Sequence, residues 1–308
     1  MTRRRQSGMA VIIAILLVAL AASTVAFMLS QHDLWTRQVG GLAARSQADA
    51  VARAGIEWVR RALGEQPEAG SREDLQGVLA AASRALSIAG VTLEITQTDA
   101  QARFNVNNLV RDSSASVPDV QAFQRLLAAA NLSPDLASAM IDAIDGNSET
   151  TLPGGAEDLD YLTLDPPRLA GNRPMLDAAQ IARVPGFTAD AASRLLPVLT
   201  ALPEATAINV NSAPAEAFML LVPGLDYDAA RRLAALRDEA HFKDLAAFRA
   251  RLPEGVAPAP GLVIGVTSRY FMLVSRATLG RTQVSYQALI GMRGAARTGV
   301  LWRKQAED

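Results

Sequence analysis

The sequence predicts an α+β protein in which a long N-terminal helix packs on an antiparallel sheet and an all-α domain is inserted between the early and late strands. Three observations carry this. Residues 9–63 keep helical character throughout, first as an uncharged apolar run and then as an amphipathic stripe. Segments that alternate apolar with polar residues occur within 91–107 and return only after residue 262. The stretch between them, about 108–260, carries apolar residues at helical spacing, punctuated by Pro and Gly. Strands distant in sequence would then share one core.

The N-terminal helix comes first. Arg3, Arg4 and Arg5 precede Gln6-Ser7-Gly8-Met9, and no residue from position 6 to position 31 is charged. About twenty apolar residues suffice to cross a hydrocarbon core, so residues 9–29 read as a transmembrane segment. The arginines lie on one side and Asp33, Arg37 and a mixed-charge chain on the other. The positive-inside bias therefore puts the N-terminus in the cytoplasm and everything beyond residue 30 outside. Ala19-Leu20-Ala21 also offers a small-x-small cleavage site, the mark of a secretory signal. The apolar run continues past it through Val25, Phe27, Met28 and Leu29. A plain uncleaved anchor is a second reading. Gly8, at the junction of basic leader and apolar helix, supplies a third, because the junction resembles the type III signal of type IV pilins and pseudopilins. That resemblance implies cleavage between Gly8 and Met9 by a prepilin peptidase and N-methylation of Met9. Most such chains have glutamate at the fifth mature position; here it is Ile13. In that family an apolar residue there is characteristic of the large minor pseudopilin K of type II secretion.

Composition bounds the rest. The 308 residues are 50% hydrophobic, enough for two domains of ordinary size outside the membrane. A formal charge of −1 gives no reason to expect a polyanionic partner for the whole molecule, and zero cysteines exclude a disulfide framework.

Beyond the membrane, Ala48, Val51, Gly55, Trp58, Val59 and Ala62 form an apolar stripe of helical period. At 1.5 Å per residue a helix over 9–63 is about 80 Å long. Gly64-Glu65-Gln66-Pro67 ends it, and a short helix is expected over 72–89. Residues 91–96 and 102–107 then read as a hairpin around a turn at 97–100, with later strands at 263–267, 270–277, 283–292 and 300–302. Expected helices of the insertion cover 121–130, 134–144, 177–183, 189–199, 214–221, 228–239 and 245–251.

The insertion contains a weak internal repeat. Val184-Pro185-Gly186 and Val222-Pro223-Gly224 each separate two helical segments, a helix-hairpin-helix-like pattern. With Ile208-Asn209-Val210-Asn211-Ser212-Ala213 before it, the second copy resembles the tandem motif of membrane-anchored DNA receptors, which grip phosphate through hairpin amides and nearby Lys or Arg. Here the second glycine is missing, and Asp226 and Asp228 stand where phosphates would dock. Residues 206–252 hold six acidic and six basic side chains, so no basic footprint stands out and no nucleic-acid partner is expected. A minor pilin or anchored DNA receptor of a DNA-uptake system remains the alternative function.

The other stretch with chemical content is acidic. Asp135, Asp142, Asp145, Glu149, Glu157, Asp158, Asp160 and Asp165 lie between Arg125 and Arg168 with no Lys or Arg among them. Crowded carboxylates in a Gly-containing loop repel unless a cation joins them, and oxygen ligands without His or Cys suit Ca²⁺. An EF-hand is excluded because Thr150 stands where its glycine is required. A solvated acidic loop is the other reading.

Several blocks, in order, resemble those of the pseudopilin K family: Asn105-Val106-Asn107-Asn108-Leu109, Ile144-Asp145, Gly155-Ala156-Glu157-Asp158, Tyr161, Gly171-Asn172-Arg173-Pro174, Val184-Pro185-Gly186, Ile208 to Ala213, and Ser268-Arg269-Tyr270-Phe271. The likeness covers nearly the whole chain. It implies a pilin-like domain from 30–107 and 261–308, interrupted by a helical domain at 108–260 and preceded by a leader at 1–8. It further implies a calcium site in the acidic loop, with Asp145, Glu149, Glu157 and Asp160 as ligands and Asp142 and Asp158 as substitutes. The implied place is the tip of the pseudopilus, in the inner membrane with the bulk periplasmic. Implied partners are the I- and J-type minor pseudopilins, with the H type a further candidate, the prepilin peptidase and the inner-membrane secretion platform.

Catalysis is not expected. His32 and His241 are the only histidines, neither in a nucleophile motif, and there is no P-loop, GxGxxG or zinc signature. The expected function is assembly: insertion through 9–29, removal of 1–8, lateral association of spine helices, and capping of a filament by the bulky insertion.

Overall fold

The computed structural model describes residues 6–64, 86–292 and 298–306. Its spine is one helix, Gln6–Gly64. From Met9 to Leu42 the large apolar side chains that are described are exposed, and this is the one helix among the described residues long and apolar enough to cross a membrane. Farther along, Ala48, Ala52, Ile56, Val59 and Leu63 are fully buried against the sheet. The buried stripe is thus rotated by about one residue from the expected one, leaving Trp58 at 41% exposure. Gly55 explains the tight fit: a Cβ there would lie 2.9 Å from Ser275 Oγ and 3.1 Å from Leu93 Cδ2. Ser275 Oγ also donates to the helix carbonyl of Ala52 at 2.8 Å.

Two strands follow, β1 (Leu86–Ile88) and β2 (Val91–Asp99), joined through Ala89 and Gly90, both at positive φ, as a two-residue type I′ hairpin requires. The expected 72–89 helix lies outside the described residues up to 85, and its last part is strand. The expected 91–96/102–107 hairpin does not form. β2 runs on through Gln97–Asp99, and Asp99 then caps a 3₁₀ turn, Ala100–Ala102, by accepting from Gln101 N–H at 2.8 Å. The second segment keeps only β3 (Phe104–Asn105), which pairs in parallel with a later strand inside the helical unit.

In that unit come β4 (Val110–Arg111), β5 (Ser114–Ala115), helices Val117–Ala129, Leu136–Ile144, Asp158–Leu162 and Ala189–Leu195, β6 (Leu199–Thr200), β7 (Ile208–Asn209), helices Ala215–Leu221, Tyr227–Glu239 and Leu245–Arg249, and β8 (Ile264–Gly265). The expected helix at 177–183 is 3₁₀, Ala178–Arg183, capped by Asp177, and the one at 189–199 stops at Leu195 before Pro197. The expected 263–267 strand is β8, paired in parallel with β7 rather than joined to the main sheet. Phe104, Phe123, Met140, Ile181, Leu195, Phe218 and Phe248 anchor its core.

Two asparagine clasps repeat inside this unit. Asn107 Nδ2 donates to the carbonyls of Met175 (2.9 Å) and Leu202 (2.8 Å), while its Oδ1 accepts from Met175 N–H at 2.8 Å. Asn211 Nδ2 donates to Phe242 (2.9 Å) and Val266 (3.1 Å), while its Oδ1 accepts from Phe242 N–H at 2.9 Å. Each clasp follows a two-residue strand, β3 or β7, and precedes a helix pair. Buried amides with donor and acceptor both paired are strongly specifying.

The chain returns to the main sheet as β9 (Tyr270–Leu279), β10 (Thr282–Met292) and β11 (Thr298–Gln305). The order is β1-β2-β9-β10-β11, antiparallel throughout, with a bulge in the β10–β11 ladder between Leu289 and Ile290. Asp99 ties exit and re-entry together. Its Oδ2 accepts from Asn209 Nδ2 (2.8 Å), Ser268 Oγ (2.6 Å) and Ser212 Oγ.

Candidate functional site

The acidic loop hangs from the helix Leu136–Ile144, whose residues from Ala137 onward are all buried. This carries Asp142 to 0% exposure. A buried carboxylate needs donors, and the loop supplies them: Thr151 N–H at 3.1 Å and Ala156 N–H at 2.8 Å. Asp142 therefore shapes the loop. Gly155 is required for this closure, since a Cβ there would collide with Asp142 Oδ2 and the Thr151 carbonyl. At Gly154, φ +85°, a Cβ would lie 2.8 Å from the Asp135 carbonyl oxygen.

Glu157 starts the helix Asp158–Leu162 in a capping box: its side chain accepts from the backbone at Asp160, and Asp160 Oδ2 accepts from Glu157 N–H at 3.0 Å. Asp158 Oδ1 accepts from Ala170 N–H at 2.9 Å. Asp160 and Glu149 are exposed, whereas Asp145 and Glu157 are buried. Asp145 Oδ1 accepts from Asn147 N–H at 3.3 Å, and Asn147 Oδ1 from Glu149 N–H at 2.6 Å. Asn172, reaching in from the following segment, donates to the Asn147 carbonyl at 2.8 Å and to Glu157 Oε2 at 3.4 Å.

Two acceptors at the heart of this arrangement are buried without a donor, Glu157 Oε1 and Asn172 Oδ1. Burial raises the Glu157 pKa, opposed by the Asn172 hydrogen bond and reinforced by the charges of Asp142, Asp145 and Asp158. Burial likewise raises Asp145, with the Asn147 amide pulling down and Asp142 adding repulsion. Tyr161, beside them, is pushed up to about 12 by burial. Among the described residues no three His, Asp or Glu side chains gather closely enough to hold a metal alone. Two buried carboxylates and an orphaned amide oxygen nevertheless fit a hard cation, which would give Glu157 Oε1 and Asn172 Oδ1 the partner they lack and offset the charge of Asp145 and Glu157. Asp145, Glu157 and Asn172 are the residues that would hold it, in a structural role.

Asn172 is the contributor that sequence reasoning did not single out as a ligand. Its signal in the sequence was its place in Gly171-Asn172-Arg173-Pro174; the structure adds a left-handed backbone, φ +42°. At the other end, Gly8 and Met9 lie in the first turns of the spine helix, with Met9 64% exposed.

The Pro-Gly turns place Gly186 and Gly224 at φ +86° and +84°. Thr188 and Asp226 cap the helices that follow. At the second turn the Asp226 carboxylate thus receives Ala229 N–H at 2.7 Å, a bond that a phosphate would otherwise seek. Arg237 is drawn inward, its guanidinium on the Ala213 carbonyl and 5.9 Å from the Phe218 ring centre.

Family models described as type II secretion system protein K match residues 102–204 and 208–264, together more than half of the chain. The chain belongs to the type II secretion system protein K family. It is 28% identical over 299 residues to protein K of Pseudomonas aeruginosa, covering 93% of this chain and 89% of that one. The Klebsiella pneumoniae protein K is 28% identical over 321 residues, covering 97% and 98%. Protein K of Aeromonas hydrophila is 27% identical over 322 residues, covering 98% and 97%. A chain in the crystal structure of the GspK-GspI-GspJ complex from enterotoxigenic Escherichia coli superposes with a TM-score of 0.75 at 23% identity, over 88% of this chain and all of that one. The fold of a protein K chain, long helix on antiparallel sheet with a helical insertion, is therefore the fold seen here.

Proposed function

We propose that this protein K chain is a minor pseudopilin at the tip of a type II secretion pseudopilus, where it helps initiate filament assembly and export of folded periplasmic proteins. The family match, running through both halves of the insertion, carries the reading. The spine helix supports it: its first half is exposed and apolar, as a segment in lipid must be. The insertion adds a second core to the pilin-like one. A body of that bulk obstructs repetition along a thin filament yet fits once at its end.

In this reading the prepilin peptidase removes residues 1–8 and Met9 is methylated. The chain sits in the inner membrane with its bulk periplasmic and contacts I- and J-type subunits, a partnership supported by its likeness to a chain of the GspK-GspI-GspJ complex. A calcium ion held by Asp145, Glu157 and Asn172 stiffens the acidic loop. In this reading the ion's role is structural.

Co-expression with I- and J-type subunits tests the proposal. A complex that survives gel filtration in detergent is the expected result, with intact mass beginning at methylated Met9. A chain that elutes alone and retains Met1 would refute it.

A further inference from the structure

Immediately after the acidic loop the chain changes sign. Arg168, Arg173 and Arg183 line a cavity of about 190 Å³ whose walls include Leu169, Met175 and Val184. No lining residue is an acid, and none of the three arginines forms an ion pair with a described residue. The nearby Asp177 is engaged by Lys304. Arg168 is held in place, its Nη2 donating to the Arg183 carbonyl at 2.8 Å and its guanidinium 5.9 Å from the Tyr161 ring centre. The side chains of Arg173 and Arg183 are exposed and uncommitted.

A second observation concerns the same stretch. Among exposed large apolar side chains outside the spine helix, five leucines fall within residues 152–176: Leu152, Leu159, Leu162, Leu169 and Leu176. Leu159 and Leu162 share a helix face at i,i+3, and Leu169 lines the cavity itself. Exposed apolar residues scattered singly are normal, but Leu169, 63% exposed in the wall of a cavity whose arginines form no ion pair with a described residue, gives that hollow an apolar side as well as a cationic one.

We propose that this hollow docks an acidic segment of another protein, one in which carboxylates flank an apolar side chain. Carboxylates pair with the guanidinium forks, and the apolar residue covers Leu169 and its neighbours. A free inorganic anion would use the arginines and leave the apolar walls bare. The inference stands on this surface and holds whether or not the chain occupies a filament tip.

The test uses the full-length protein in non-ionic detergent and a fluorescein-labelled Glu-Leu-Glu-Glu-Leu-Glu peptide, read by anisotropy. Arg173→Glu with Arg183→Glu leaves Arg168 to hold the fold, which an unchanged melting curve verifies. Saturable binding that weakens with salt and falls at least about tenfold in the double variant is expected. The double variant should in turn bind Lys-Leu-Lys-Lys-Leu-Lys. Absence of saturable binding, equal affinity for the Gln-substituted peptide, or an unaltered affinity in the variant overturns the proposal. So would tighter binding to phosphatidylglycerol vesicles than to the peptide, or self-association that the reversal abolishes, which would make the occupant a lipid or a second copy.

Discussion

Replacing Glu157 by Gln should change stability with opposite signs in chelator and in calcium. In cation-free buffer the wild-type carboxylate is buried, repelled by Asp142, Asp145 and Asp158, and its Oε1 has no donor. An amide of the same shape removes the charge and offers an N–H to a site that contains another orphaned acceptor, Asn172 Oδ1. One satisfied bond and one lost repulsion are worth about 1 kcal/mol in favour of the variant. Calcium at about a hundred times its Kd stabilises a native protein by about 2.7 kcal/mol. For a domain of this size that raises Tm by about 5–10 °C in the wild type. The variant, lacking one anionic ligand, should show little of that rise. Thermal melting of the full-length protein in detergent, followed by near-ultraviolet circular dichroism with EDTA or CaCl₂, decides the matter. A wild-type Tm indifferent to calcium, together with a variant that melts lower in EDTA, would refute the reasoning.

Other perturbations bear on different parts of the molecule. Asn107→Leu leaves Met175 N–H and the Met175 and Leu202 carbonyls without their partner; at about 1–3 kcal/mol per orphaned group the loss should be at least about 3 kcal/mol, seen as a lower urea midpoint. Burial pushes the Asp177 carboxyl up, but hydrogen bonds from Lys304 and from Ala179 N–H together with the Lys304 charge outweigh it, and its pKa lies below the ordinary value. That contribution to stability is present above the unfolded pKa and is lost as pH falls through the folded one. Lys304→Gln should therefore raise the Asp177 pKa in a carboxyl NMR titration and shrink the loss in acid. Gly8→Leu should block processing, and intact mass from membranes should then show all of residues 1–8 retained.

Period made the spine helix and the late strands legible: the 9–63 pattern and the alternation at 270–277 and 283–292 map onto Gln6–Gly64, β9 and β10. Where the reading failed, the deciding contacts were remote. Residues 102–107 alternate as a hairpin arm should, yet Asn105 is drawn into the helical unit by Leu202 N–H and the Glu204 carbonyl. The orientation of the spine helix was missed because Gly55 and Ser275 set it, not the most apolar face; Trp58 is large but lies off the sheet. In the acidic loop, composition identified the region without ranking its members. Asp142 turned out to organise backbone, Asp160 to cap a helix, and Asn172 to face Glu157. Charge count does not distinguish a carboxylate that closes a turn from one left without a donor.

The paired asparagine clasps have a consequence for how this fold tolerates change. In the second copy only residues 240 and 241 separate the helix Tyr227–Glu239 from Phe242, the residue its asparagine grips. In the first copy residues 145–174, with the acidic loop and two cavity arginines, occupy the corresponding interval between the helix Leu136–Ile144 and Met175. Asn107 secures Met175 at one end and Asp142 closes the loop at the other, while Ala156 and Tyr161 join the core, so the exposed positions between them are the ones that can vary while the scaffold stays in register. Loop exchange between protein K chains, cut at residues 141 and 174 so that Asp142 travels with the loop it closes, should therefore leave the host folded, as an unchanged urea midpoint would show.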